Sequence, residues 1–386
     1  MPPMKLCIMK QDILYIDPQS YGNLAAYDYN LLTNTQKDIL YIHSQKYDYK
    51  AMNLPGKPWF KYNKLHSSLA KVLSYALTYA KIFCLIMCWR PRIIHVQWFK
   101  MPTFDYYFYK WTKRLFRFRL VFTAHNVLPH NSGKRYQSIY GKLYAICDAI
   151  VVHTSCTKKE IHQMFHIGKE KIHVIEHGIL KIPVDIQRYE QSLQLYRQKY
   201  HLQGKIVFVS LGEQSPYKGI DLLAKIWTQN KELYDNDDIC LLLVGKQKEI
   251  NLRQVANCKN VIVENRHIPN DEFLYLLRAA DVYLLPYRQI SQSGALLTAI
   301  SERIPVLVSR VGGLTDPLKI APIGWEIDKL DEKGLKEALM SIIKAPKKIK
   351  DIKENFQAWE KVAEHYSWKR IGNETTKLYN TMIGQS

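Results

Sequence analysis

At 386 residues, with 47% apolar and 23% charged residues and no low-complexity run, the chain is long enough for about two ordinary domains, each with its own core. Its seven cysteines form no C-x-x-C pair, which argues against a zinc site or a disulfide framework and for reduced thiols. The formal net charge of +20 is lopsided: residues 1–200 hold 29 Lys/Arg against 12 Asp/Glu, and residues 201–386 hold 26 against 23.

In chain order, the apolar run Lys5 to Met9 reads as a first strand rather than a secretory leader, followed by a loop through Asp17, Tyr21, Gly22 and Asn23. A helix over Leu24 to Leu32 and a strand over Asp38 to His43 come next. The stretch Leu69 to Trp89 is the most apolar helix, but Lys71 and Lys81 interrupt it, and it is expected to be too polar to span a membrane. Ile93 to Gln97 is a strand, Phe104 to Phe118 a helix, and Leu120 to Thr123 another strand. After a loop from His125 come a helix to Cys147, a strand Ala149 to His153, a helix from Thr157 and a strand Lys171 to Ile175. A polar helical stretch, Pro183 to Tyr200, separates this series from a second one: strands Lys205 to Leu211, Ile239 to Val244, Val261 to Glu264, Val282 to Leu285 and Val306 to Val308, with helices between. Strands alternating with helices predict parallel sheets with right-handed crossovers, hence an α/β chain of two Rossmann-like domains facing across a cleft. The expected boundaries are 1–182, 183–365 and a tail 366–386, whose helix Trp368 to Met382 has no strand after it and is expected to cross back to the first domain.

Two loops follow strands and open helices. In Ser210-Leu-Gly-Glu-Gln-Ser-Pro-Tyr-Lys-Gly219, Lys218 offers a point charge suited to a diphosphate. After Val282 to Leu285, the loop with Tyr287 and Arg288 leads to a helix opening at Ser293-Gly294, whose free amides and partial positive charge favour phosphate. Taken alone, either loop is as well explained by an ordinary helix start; together they predict a nucleotide-diphosphate site. No G-x-G-x-x-G, Walker A or H-E-x-x-H sequence occurs, which disfavours hydride transfer and a protein-bound catalytic metal. In the first half, Phe122-Thr-Ala-His-Asn-Val-Leu-Pro-His130 ends a strand, and His125 is either a capping histidine or a group that bonds a substrate hydroxyl. His177-Gly178 likewise ends a strand and reads equally as a turn.

These stretches together resemble the nucleotide-sugar-dependent glycosyltransferases of GT-B fold, in particular the large bacterial family 4. The matching text is T-A-H-N-V-L-P-H at 123–130, V-V-H-T-S at 151–155, H-V-I-E-H-G at 173–178, P-Y-K-G at 216–219, L-L-V-G at 242–245, A-A-D-V-Y-L-L-P-Y at 279–287, S-Q-S-G at 291–294 and I-P-V-L-V-S-R-V-G-G-L at 304–314. The resemblance covers both halves in order. It implies that Lys218 grips the donor diphosphate, that the Ser293, Gly294 and Ala295 amides receive it, and that Tyr287 and Arg288 lie beside the sugar and phosphate. It also implies that His125 sits near the transferred sugar and that Gly22 and Asn23 belong to a loop approaching donor and acceptor. The chemistry implied is transfer through an oxocarbenium-like state, driven by stabilising the departing diphosphate, with retention and with no cofactor or metal.

The chain departs from the family pattern at two places. The usual paired glutamates, eight positions apart, are replaced by Ile290 and Thr298, leaving Thr298 or Glu302 one turn later as candidate ribose contacts. Glu213 stands where the pattern has a phosphate-binding arginine, with Arg288 as its candidate substitute.

From Lys57 to Lys142 there are 16 basic residues and one carboxylate, Asp105. The helix Phe104 to Phe118 mixes Tyr106, Tyr107, Phe108, Tyr109, Trp111, Phe116 and Phe118 with Lys110, Lys113, Arg114 and Arg117, which suits an anionic membrane surface, although a half-packed, half-solvated helix reads the same way. The expectation is therefore a cytoplasmic enzyme held peripherally at the inner face of the cell membrane. It would move sugar from a UDP- or GDP-sugar to a lipid-linked glycan for surface polysaccharide. The alternatives are a non-catalytic nucleotide-sugar-binding partner subunit and a basic nucleic-acid-binding protein; the latter leaves Lys218 and the Ser293 helix start without a purpose.

Overall fold

The computed structural model of the protein describes residues 12–46, 56–129, 135–179 and 186–384. The strand expected at Lys5 to Met9 lies outside the described residues. The first described strand is instead β1, Ile13–Asp17, in a stretch expected to be loop, and all five of its residues are buried. Its run I-L-Y-I serves both faces of a covered sheet, which is why it lacks the alternation of a half-exposed strand.

The chain divides into two compact units, one formed by Met1–Gly178 with Ser367–Ser386 and the other by Ile179–Tyr366. In the first unit β1 is joined by β2 (Ile39–Ser44), β3 (Gly56–Phe60), β4 (Ile93–Val96), β5 (Arg119–Thr123), β6 (Ala149–Val152) and β7 (Ile172–Val174), in the order β3-β2-β1-β4-β5-β6-β7. Every pairing is parallel. Alternate residues of β1 feed opposite cores: Leu14 and Ile16 pack with helices Ser68–Trp89, Pro102–Phe116 and Gln137–Ile146. Ile13 and Tyr15 pack with helix Asn23–Asn34 and the final helix, Trp368–Gly384. That last helix lies close against the first one, since a Cβ on Gly372 would overlap the carbonyl of Asn34. Thr376 Oγ1 accepts from the Gln36 amide at 3.1 Å, and Arg92 donates to the Ile383 carbonyl at 2.6 Å.

The second unit holds β8 (Ile206–Leu211), β9 (Ile239–Val244), β10 (Val261–Glu264), β11 (Val282–Leu285), β12 (Val306–Ser309) and β13 (Gly324–Ile327), in the order β10-β9-β8-β11-β12-β13 and again wholly parallel. Its sheet is sandwiched between two apolar clusters, one containing Val207, Val209 and Leu211 and the other Phe208 and the buried Trp227. Two strands, β3 and β13, were not expected; G-K-P-W-F and G-W-E-I are short and mixed, and each takes its strand conformation from a neighbour already in place.

Helix Ser68–Trp89 corrects a second expectation. With a mean hydropathy of 1.6 over its most apolar window it is long and apolar enough, by length and composition, to cross a membrane. One side, with Tyr75, Thr78, Tyr79, Ile82 and Ile86, is nevertheless buried in the first unit.

Candidate active site

Each sheet reverses its direction of growth at one place, and an open α/β sheet binds ligands at the carboxyl ends of the two strands flanking such a switch point. In the second unit those strands are β8 and β11: from β8 the chain proceeds to β9 and β10, then returns to add β11 on the other side. The two loops singled out in the sequence are the ones that follow β8 and β11.

After β8 the backbone turns through glycine. Gly212 has φ +89°, and the neighbouring Gly245, at φ +148°, packs so tightly that a Cβ there would overlap the Gly212 carbonyl. Lys218 Nζ lies close over this turn, 3.5 Å from where a Cβ on Gly212 would stand. Pro216–Lys218 forms one 3-10 turn that ends at Gly219, φ +72°, where a Cβ would overlap the Pro286 carbonyl. The Lys218 ammonium sits 5.7 Å from the centre of the Tyr287 ring. Burial pulls its pKa down, and the nearby Glu213 carboxylate pushes it back up. Glu213 is thus close enough to act on Lys218, and it also pairs with Lys248 at 4.0 Å.

After β11, Tyr287 is buried and its hydroxyl reaches Ser293. Ser293 caps helix Gly294–Ser301: its hydroxyl accepts from the Leu296 amide at 3.2 Å, which leaves the Gly294 and Ala295 amides outside the helix's own ladder. A Cβ on Gly294 would meet nothing within 4 Å, so the space at this helix start is open. Tyr287 therefore touches both sides, and the structure brings Lys218, Tyr287 and the Ser293 helix start together in one unit.

The other expected donor contacts are engaged within the protein. The Arg288 guanidinium grips Asp221 with two hydrogen bonds and also donates to the Pro216 carbonyl, while its backbone amide donates to the Tyr217 carbonyl at 2.8 Å. The Thr298 hydroxyl donates to the Gly294 carbonyl at 3.0 Å, and Glu302 is held by Arg278. Ile290 offers only backbone here; its carbonyl lies against Gly312, φ +55°.

In the first unit the switch point falls between β1 and β4. Gly22 follows β1 with φ +58° and ψ −132°, a conformation that side chains resist, and it caps helix Asn23–Asn34. His125 follows β5. Its Nε2 lies 3.0 Å from Gln97 Oε1, at the end of β4, and its Nδ1 lies 3.2 Å from His153 Nε2, at the end of β6. Tyr27 packs its ring 4.9 Å from His125 and 5.0 Å from His177. Burial lowers the pKa of His125 well below the usual histidine value, with the charges of His153, His177 and His95 adding to the effect. His130 lies outside the described residues. Gln97 and His153 were not among the expected site residues; each ends an apolar run, as His125 does, and His153 also stands in the matching text V-V-H-T-S.

Two family descriptions match the chain, "Glycosyltransferase Family 4" over residues 28–179 and "Glycosyl transferases group 1" over residues 194–359. An uncharacterized glycosyltransferase of Methanocaldococcus jannaschii is 25% identical over 62% of this chain and 61% of its own length. Mannosylfructose-phosphate synthase of Agrobacterium fabrum is 21% identical over 52% of this chain and 46% of its own length. The chain thus spans about half to three-fifths of the curated relatives it matches. Among solved structures, Anabaena HepE in complex with UDP superposes with a TM-score of 0.67 at 14% identity, covering 96% of this chain and 100% of that one. Sucrose-phosphate synthase of Thermosynechococcus elongatus gives 0.66 at 15%, covering 97% and 100%. WaaG, a glycosyltransferase involved in lipopolysaccharide biosynthesis, gives 0.60 at 17%, covering 95% and 99%. At these identities the superpositions establish the fold. With both family descriptions in chain order, one on each sheet, the chain belongs to the group 1, family 4-like glycosyltransferases of GT-B fold.

Proposed function

We propose that the protein transfers a glycosyl group from a UDP- or GDP-sugar to a hydroxyl of a lipid-linked glycan in surface polysaccharide assembly, with retention and without a metal ion. The observation that carries this reading is that Tyr287, at the switch point of the second unit, lies beside Lys218 and also reaches Ser293 at an open helix start. An ammonium and unpaired amides on either side of one tyrosine suit the charge that builds on a departing diphosphate. The Anabaena neighbour is known with UDP and with UDP-glucose, which supports a nucleoside diphosphate of that kind as the guest.

Lys218→Ala should weaken UDP or GDP binding about ten- to a hundredfold, the equivalent of losing about 1.5–3 kcal/mol of charge-assisted bonding, and should abolish transfer of labelled sugar to lipid-linked acceptors. Unchanged nucleotide affinity would remove the site, and transfer that stops with a chelator would remove metal independence. Nucleotide binding with no transfer from any donor would favour a partner subunit, the reading to which Ile290 and Thr298 lend weight.

The first unit carries the acceptor side of this proposal. Helix Pro102–Phe116 buries Pro102, Asp105, Tyr109 and Thr112, and turns Phe104, Tyr107, Trp111 and Leu115 outward among Lys110 and Arg114. Phe118 and Tyr109 belong to the core, and Lys113 is bound by Asp148 at 2.7 Å, so the membrane-facing set is narrower than the sequence implied. It is also broader in one respect, because helix Ser68–Trp89 turns Leu69, Val72, Leu73, Leu77 and Met87 outward. The two helices adjoin through Tyr79 with Phe108 and Phe83 with Phe116. A mixed apolar and basic surface of this kind suits peripheral seating on the anionic cytoplasmic leaflet, where a lipid-linked acceptor resides.

A further inference from the structure

We infer that His153 is a positioning residue that fixes which ring nitrogen of His125 carries the proton, so that His125 meets substrate through a hydrogen-bond-accepting Nε2. The inference rests on the reading of His125 as the first unit's substrate-facing histidine and adds what makes that histidine competent.

One atom of the pair has a single role. His153 Nδ1 lies 2.9 Å from the Ile175 carbonyl oxygen, which can only accept, so Nδ1 bears the hydrogen. A neutral His153 then presents a lone pair at Nε2, and the atom 3.2 Å away, His125 Nδ1, must donate to it. His125 is left with a lone pair at Nε2, facing the Gln97 side-chain amide.

A half-turn of that amide exchanges its oxygen and nitrogen. The NH2 group then donates to His125 Nε2, His95 Nε2 donates to Thr123 Oγ1 at 2.7 Å, and the Thr123 hydroxyl donates to the amide oxygen, 2.9 Å away at the amide's other end. His95 Nδ1 in turn accepts from the Tyr379 hydroxyl on the C-terminal helix. Every donor in the line from Tyr379 to the Ile175 carbonyl then finds an acceptor with every ring neutral.

The opposite orientation requires one more proton on the pair, and the surroundings oppose it. His153, His95 and Gln97 are 5%, 1% and 1% exposed. The groups facing the pair are Tyr27 on the first helix, His177 after β7 and Trp98 after β4, with Trp368 behind His177; none of them is a carboxylate. A hydroxyl of the substrate that displaces the Gln97 amide is therefore held by its own hydrogen, which turns an oxygen lone pair outward for other donors.

The test is two-bond proton–nitrogen NMR correlation on protein labelled at histidine nitrogens, together with transfer assays. The expected spectrum of the native protein shows His125 with its hydrogen on Nδ1. His153→Leu, which lacks the acceptor, should move that hydrogen to Nε2 and slow transfer at least about tenfold while leaving UDP affinity unchanged. His153→Gln, whose amide oxygen can stand in for the lost lone pair, should restore the Nδ1 hydrogen and most of the rate. A hydrogen on Nε2 in the native protein overturns the inference without any variant, and so does an unmoved hydrogen in His153→Leu. Absence of transfer in native protein whose His125 hydrogen is on Nδ1 would count against the glycosyltransfer reading and leave the tautomer assignment standing.

Discussion

Arg288, expected beside the sugar and phosphate, is engaged within the protein. Its guanidinium clasps Asp221 and the Pro216 carbonyl, and its amide holds the Tyr217 carbonyl, so it fastens the loop after β11 to the turn bearing Lys218. Both side chains are about two-fifths exposed, and such a pair contributes only about 0–1 kcal/mol to stability. Its value lies in placing Lys218. Arg288→Ala and Asp221→Ala should each weaken UDP binding about three- to tenfold with little change in Tm, and the double variant should be no worse than either single one. Additive losses in calorimetric titrations would show two independent contacts instead. Lys218, Ser293 and His125 were legible in the sequence because each is marked by a glycine, a proline or the end of an apolar run. The partners of His125 were not. Gln97 and His153 are each 28 residues away from it and meet it only because β4, β5 and β6 lie side by side.

At the scale of elements, most strands and helices could be read from apolar runs and their punctuation. β1 was not expected, because its run I-L-Y-I lies in a stretch read as loop and lacks the alternation that marks a half-exposed strand. Helix Pro102–Phe116 carries a feature hidden in its composition: Asp105, the lone carboxylate of a basic stretch, is wholly buried. It accepts from Tyr75 at 2.8 Å and from the Met101 amide at 2.9 Å. Burial pushes its pKa up to about 7, against the downward pull of hydrogen bonds from Tyr75, Tyr79 and Met101. A carboxyl that holds its proton more tightly folded than unfolded adds stability in full below about pH 4, the unfolded value, and loses that contribution as pH rises through about 7. Asp105→Asn cannot ionise. Between pH 5 and 8 the wild type should therefore lose about 2–3 kcal/mol relative to the variant in denaturant titrations. Parallel pH profiles would show that the carboxylate is solvated.

For the molecule as a whole, the two-unit plan was legible because strand–helix alternation starts twice, whereas the outward-facing surface of the first unit was only partly so. The exposed stripe of helix Ser68–Trp89 is indistinguishable in sequence from a core face, since burial depends on which helices flank it. If that stripe and the exposed face of Pro102–Phe116 seat on a membrane, Leu77→Glu combined with Trp111→Glu should cut co-sedimentation with phosphatidylglycerol-containing vesicles at least about tenfold, and native binding should weaken with salt. UDP affinity should not change. Undiminished sedimentation of the double variant would remove the membrane from the account.

The assignment of Ser367–Ser386 to the first unit has a temporal side. The amide of Ile179 donates to the carbonyl of Tyr366 at 3.0 Å, so the second unit starts and finishes at neighbouring points and is an insertion within the first. Translation proceeds at about 5–20 residues per second and ordinarily lets the leading domain mature first. Here the segment that contributes Tyr379 and Ile371 to the first unit's core is made only after the whole of the second, so the inserted unit can reach its native state before its host has all of its parts.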